Sequence, residues 1–411
     1  MILSKASSRR LTFLVCSAQF LAYLDSGFWP ALLPELSRSW SLSNREAGWI
    51  TATHYGAYLV TAPLILGLTD RVSSKTIYLF GLVATAAGAL CFAIVADGLW
   101  GAIASRALSG LGEAGRFMVA VKLLSEHLGP AELSRGIAWN ALTIGVASAI
   151  SFLCIEPIVQ VASWRAAFIV AACGAVLGSL IIWQFVPSVD HDQRTTSESG
   201  DTFKLLSVFR NRAAMSYVVA YSVHTFESVA FRGWVVAFLA YTAANSTHST
   251  IMPTPTVTAM MMVLLGTSGS FLGNEIALRL GRDRLVTFAF IGSSVFAILV
   301  GFIGVAHYSF AVLLVLVYGV CIYLDSATLT AGTSASADPR WRGATLAVHS
   351  TIGYVGGVLG PIVVGAVLDM CGGMSPRAWG LTFLLLGVMD LLGLICFWLI
   401  RPHDMKGQRR A

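Results

Sequence analysis

Charge is what this chain has least of. Of its 411 residues only 12% are Asp, Glu, Lys or Arg, while 56% are hydrophobic. An ordinary soluble domain carries about 25% charged residues. A soluble protein of this length needs far more polar surface to cover its core, so a soluble globular fold is excluded. Cysteine is present at seven positions but never as a CxxC pair. That leaves no disulfide framework and no thiolate metal site, and the cysteines read as small buried hydrophobes. No GxxxxGKS or GxxxxGKT run occurs, which disfavours direct ATP coupling within the chain. No HExxH helix and no nucleophile–base pair at a useful spacing occurs either. An enzyme, a metal and a cofactor are therefore not expected. No small-residue cleavage site follows Lys5, Arg9 and Arg10, so the first apolar run reads as a span and not as a removed leader.

What the chain does have is long apolar runs. A helix needs about 20 mostly apolar residues to cross a bilayer. Twelve segments qualify, near 11–33, 46–68, 76–96, 99–121, 137–159, 165–186, 213–240, 256–278, 285–305, 308–330, 343–367 and 379–400. The expected fold is an all-α membrane protein whose twelve transmembrane helices form two pseudo-symmetric six-helix bundles. Residues 1–186 form the first half and 213–411 the second, which ends in a short basic tail. The polar stretch 187–212 reads as a cytoplasmic linker loop.

The basic residues orient this array. With both termini in the cytoplasm, twenty of the 27 lysines and arginines fall on inward tails and loops. Only Arg38, Arg45, Arg165 and Arg377 fall outside. This is the positive-inside bias, and it accounts for the net charge of +6 without nucleic acid. The expected location is the cell (cytoplasmic) membrane, as a monomer in the lipid bilayer.

The halves repeat. Aligning Arg71 with Arg279 also aligns the TIG at 143–145 with the TIG at 351–353, and RGIAWN (135–140) falls opposite RGATLA (342–347) one position away. Parallel six-helix repeats are a transporter plan with the substrate site at mid-membrane. The chain here resembles the major facilitator superfamily over nearly its whole length. Its loop motif between spans two and three is matched by Asp70, Arg71 and Lys75, with Gly67 displaced and Ser73 in place of a glycine. The second copy keeps Arg279, Gly281 and Arg282, while Leu278 replaces the acid. The span-four motif is matched by Arg106, Gly110 and Gly112, and GEAG at 112–115 resembles branches that carry organic anions and phosphate esters. The span-five antiporter motif is missing: residues 145–157 read GVASAISFLCIEP.

The charges inside spans are the candidate site. A charge at mid-span costs about 2.5–3.5 kcal/mol on insertion scales, so such groups face a cavity or a partner. Spacings of seven and three place Arg106, Glu113 and Arg116 on one sector of span four. Arginine suits carboxylate and phosphate through its two-pronged donor fork. Arg116 and Arg106 are expected to contact an anionic substrate, and Glu113 to titrate. Asp25 in span one and His54 in span two fall at similar depth, which suits proton coupling through Asp25. Tyr55 and Tyr58 share the His54 face. Trp139 and Asn140 open span five. In the second half His224 and Tyr318 are candidate substrate contacts, and Glu227, on the His224 face, is a candidate proton carrier. Asp325 and His349 are expected to form an inner gate pair. Asp70, Arg71, Lys75, Arg279 and Arg282 are expected to gate the same side. Asp390, in peripheral span twelve, is left out.

These features lead to a secondary active transporter for a small polar solute, an organic anion in one reading, coupled to protons as a symporter. Two other readings are open: proton-driven efflux of lipophilic compounds, and a receptor or structural protein that transports nothing.

Overall fold

The computed structural model describes residues 5–69, 71–188, 207–246 and 252–402. The expected tail and most of the linker lie outside them. Among the described residues there are fourteen α-helices and no strand. In chain order these are α1 Lys5–Ala22, α2 Phe28–Ser39, α3 Asn44–Leu68, α4 Ser74–Val95, α5 Leu99–Ser125, α6 Pro130–Val161 and α7 Trp164–Phe185. Then follow α8 Arg212–Ala244, α9 Pro255–Leu280, α10 Arg282–Phe302, α11 Tyr308–Tyr323, α12 Ser326–Ser336, α13 Arg342–Met370 and α14 Pro376–Ile400. In hydrocarbon a helix satisfies every backbone polar group within its own segment. Ser73, Ser163, Asn211, Thr254 and Ser375 each accept a backbone N–H of the helix they precede, as N-caps do. Among the described residues eight helical stretches are apolar and long enough to span. Helices α3, α5 and α8, of 25, 27 and 33 residues, are long enough but carry the polar side chains of the candidate site.

Two expected spans are broken. Span one is α1 and α2, separated by turns at 23–27. Pro30 is the cause that the sequence holds. It cannot donate to the carbonyl four residues back and its ring would clash there, so the helix restarts at Phe28 with Pro30 in the first turn, where no donor is needed. Span ten is α11 and α12, separated at Leu324 and Asp325. The Leu324 N–H turns to the Cys321 carbonyl, one residue short of the α-helical partner. Gly273 of α9 leaves room for the Leu324 carbonyl, which a Cβ there would strike. Each break carries an acid, Asp25 or Asp325.

The helices pack into two compact units. The first comprises Met1–Leu32, Arg38–Trp40 and Thr53–Glu198; the second comprises Leu33–Ser37, Ser41–Ala52 and Ser199–Ala411. Their internal packing repeats. In the first unit α1 packs on α6 and α7, and α4 packs on α5 and α7. In the second, α8 packs on α13 and α14, and α10 packs on α11 and α14. The first unit buries an aromatic cluster of Phe28, Trp29, Phe92 and Phe168, with half-buried Trp164 against Phe92. The second buries Phe231, Trp234, Phe238, Trp379 and Phe383.

The second unit holds the first residues of α3. The Asp369 carboxylate, at the end of α13, accepts the Asn44 N–H at 3.0 Å, the Asn44 side-chain amide at 2.8 Å and the Arg45 N–H at 2.8 Å. A carboxylate from 325 residues away thus caps this helix. Losing such a cap costs about 0.5–2 kcal/mol. Asp369→Ala is therefore expected to lower the thermal unfolding midpoint, with Asp369→Asn, which keeps one acceptor oxygen, recovering part of the loss. A midpoint unchanged in both would show that the cap adds nothing.

Candidate functional site

In the first unit the break after α1 brings Tyr23 to the span-four charges. Tyr23 Oη donates to Glu113 Oε1 at 2.9 Å. His54 Nε2, from α3, lies 2.5 Å from Glu113 Oε2. Both carboxylate oxygens of Glu113 are thereby engaged, by groups from two other spans. Arg116, one turn further along α5, is 2% exposed. Its guanidinium sits 3.8 Å over the Tyr23 ring, its Nε donates to Thr85 Oγ1 at 3.1 Å, and Nη1 reaches Gln19 Oε1 at 3.5 Å. Arg106 is buried and acts electrostatically on His54, as does Asp25. Arg106, Glu113 and Asp25 thus set charges of both signs about His54, and Arg116 acts on Glu113. Tyr55 meets the His54 ring edge-on at 5.3 Å, and Tyr58 lies against Phe117.

This network contains residues that the sequence reading did not single out. Tyr23, Gln19 and Thr85 complete it. Tyr23 stands two residues before Asp25 in the same run, and Gln19 is the one amide of the first span. Thr85 gave no signal, since its hydroxyl also bonds to its own helix at Gly81 O.

A groove of about 1020 Å³ opens between α1 and α6. Phe13, Phe20 and Trp139 form its apolar wall, and Arg9 and Arg135 are among its lining residues. Of the expected substrate contacts only Trp139 lines it. Asn140, the next residue, is buried, and its side-chain carbonyl oxygen has no hydrogen-bond partner.

The second unit gathers a comparable set. His224 Nδ1 lies 2.9 Å from Asp325 Oδ1. One turn along α8, Glu227 Oε1 accepts the Tyr318 hydroxyl at 2.7 Å. Asp390 of α14 is in hydrogen-bonding contact with Glu227. The omission of Asp390 is a miss: it is the only charged residue between Arg377 and Arg401, buried to 1% exposure. A lone acid in so apolar a helix was the available signal.

The expected Asp325–His349 gate pair is corrected. Asp325 faces His224, because the break in span ten turns it toward α8. His349 instead stacks on Tyr221 with ring centroids 3.9 Å apart, and its two nitrogens meet Thr333 Oγ1 at 3.0 Å and Thr330 Oγ1 at 3.3 Å. Of the expected loop residues, Asp70 lies outside the described residues. Arg71 is exposed, and Lys75 Nζ donates to the Trp183 carbonyl at 2.8 Å. Arg279 is exposed and Arg282 half-buried. The acid beside them, Asp283, pairs at 3.0 Å with Arg401, beyond the last span, and not with an arginine of its own loop. Among the described residues no group of three His, Cys, Asp or Glu side chains is arranged to hold a metal.

A family model described as Major Facilitator Superfamily matches residues 15–361. The niacin transporter NiaP of Acinetobacter baylyi is 26% identical over 168 residues, 41% of this chain and 38% of that protein. Protein spinster homolog 3 of Danio rerio is 23% identical over 290 residues, 66% of this chain and 57% of that one. The chain thus spans well under two thirds of the length of either relative. A crystal structure of a bacterial homolog to the human lysosomal transporter spinster, inward-facing and unoccupied, superposes with a TM-score of 0.78 at 13% identity, covering 97% of this chain and 98% of that one. At that identity the likeness is one of fold.

Proposed function

The chain belongs to the Major Facilitator Superfamily, and on that footing we propose that it is a secondary active transporter, not an enzyme, that carries a small organic anion together with protons. The observation that supports this reading most is the Glu113 network. A mid-span carboxylate is held by His54 and Tyr23 from two other spans. When Glu113 takes a proton, its hold on both weakens, and His54 and Arg106 can turn to an incoming carboxylate or phosphate. Binding of the anion and binding of the proton then favour the same state, which is the condition for coupling. Asp25 is the second acid of this pathway. Arg116 positions Tyr23 and α4 in this reading. Its fork is filled by Thr85 and Gln19, so Arg106 takes the substrate role first given to both. Niacin, named for one relative, is a small aromatic acid of the proposed class.

The rest of the account follows the same footing. Halves 1–186 and 213–411, joined by 187–212, alternate access across the cytoplasmic membrane as a monomer with both termini inside. Arg71, Lys75, Arg279 and Arg282 gate the inner side. A second reading has one observation in its favour. The aromatic wall of the α1–α6 groove also suits export of lipophilic compounds.

Thermal unfolding of the purified protein separates the two. A ligand at 100 times its dissociation constant adds about 2.7 kcal/mol to the folded state. Nicotinate and other small carboxylates are expected to raise the midpoint of the wild type and not of Arg106→Gln. If only lipophilic cations raise it, and in both proteins alike, the anion reading fails and export replaces it.

A further inference from the structure

The second unit contains a pair of acids that the anion-binding account does not use. Glu227 of α8 and Asp390 of α14 are 2% and 1% exposed, and their carboxyl groups are in hydrogen-bonding contact. Tyr318 of α11 donates to Glu227 Oε1. Two carboxylates have only acceptor atoms. Contact between them therefore needs a hydrogen that neither brings when both are ionised.

The groups that act on the pair are His224 from α8, Tyr318 and Cys321 from α11, and Asp325 from the break after α11. None of those acting on Asp390 is an arginine or a lysine. His349 of α13 lies one ring further away, behind Tyr221. Helix α10, packed on α14, has no titratable side chain from Leu285 to Phe302, and α12 has none at all. Among the groups named as acting on Glu227 and Asp390, His224 is thus the one base, and it faces Asp325 as well. Full ionisation would leave uncompensated charge in the core at a cost of several kcal/mol per ion. Asp390 Oδ2 is buried with no hydrogen-bond donor against it. An ionised oxygen in that position would be doubly penalised, whereas a protonated carboxyl group tolerates it.

We propose that Glu227 and Asp390 hold one proton between them and form a proton-binding site of the second unit, with Tyr318 as its positioning residue. The shared proton rests on the burial of the two carboxyl groups, their contact and the unpartnered Asp390 oxygen. Its use in transport rests on the proton-coupled reading above. A hydroxyl that donates to Glu227 favours its ionised form, so in that role the pair would hold its proton when Tyr318 leaves Glu227 and release it when Tyr318 returns, which links the protonation of α8 and α14 to the position of α11.

Infrared spectroscopy of the purified protein in neutral buffer tests this. A protonated carboxyl group absorbs apart from carboxylates and amides. The wild type is expected to show that band, shifted on exchange into heavy water, and Glu227→Gln and Asp390→Asn are each expected to lose it. A carboxamide can donate the missing hydrogen bond, so both variants are expected to fold. Absence of the band in the wild type, its persistence in either variant, or failure of both variants to fold would overturn the proposal. A wild type that shows the band, and loses it in the variants, but moves no acid in vesicles would instead sink the transport reading and leave the shared proton in place.

Discussion

Replacing Glu113 with alanine is expected to destabilise the folded protein by about 3–5 kcal/mol, the cost of leaving buried charge without its partner, and to abolish solute accumulation. Glu113 engages His54 at 2.5 Å and Tyr23 at 2.9 Å, and it lies one turn from Arg116 with its buried guanidinium. Without the carboxylate, two arginines are left to Asp25 alone. Glu113→Gln separates fold from function. It keeps the size and one acceptor for Tyr23, so it is expected to retain most of the stability. It cannot take up and release a proton, so accumulation against a gradient is expected to stop. The measurement is an unfolding curve and a vesicle uptake assay on each variant. Undiminished accumulation in Glu113→Gln would remove Glu113 from the coupling path.

The second large effect is expected at Gly81. Helices α4 and α5 meet backbone to backbone at Gly81, Gly112 and Gly115, as small residues allow. A Cβ on Gly81 would lie 2.5 Å from the Gly115 carbonyl carbon and 2.8 Å from both Arg116 N and Gly112 O. These are backbone atoms of a packed helix and cannot turn aside. Gly81→Val is expected to cost about 1–3 kcal/mol or more by overpacking. It should also weaken function, because α5 would move away from α4 and draw Arg116 from Thr85. Gly67→Ala, also in a helix but with nothing near its added Cβ, is the control. It is expected to be neutral or stabilising by about 0.5–1 kcal/mol. Equal losses in the two variants would show that the α4–α5 seam is not tightly packed.

Much of the architecture was legible because it follows from composition and period. Apolar runs of span length, the bias of arginine and lysine between sides, and the repeat of Arg71 at Arg279 give two six-span halves. The breaks in spans one and ten were not read, although the sequence carries Pro30. A hydropathy run measures the solvent a segment prefers and not whether its backbone ladder is continuous. Those breaks decide the site. The first delivers Tyr23 to Glu113, and the second turns Asp325 to His224 and away from His349. The span-four charges were located from spacing alone, but spacing gives the face of a helix and not the neighbour it meets. Arg116 was therefore read as open to solute, whereas Gln19, Thr85 and Tyr23 enclose it. Asp390 was set aside on the expected position of its span, while its own chemistry, an acid in an apolar helix, pointed inward.

The central claim is that an organic acid and a proton move together through the Glu113 network. The most direct measurement is proton flux across vesicles containing the purified protein when nicotinate and a panel of other small carboxylates are added outside. The account predicts proton uptake with at least one of these acids in the wild type, and none in Glu113→Gln. Acid uptake without proton movement, or equal proton movement in both proteins, would contradict it.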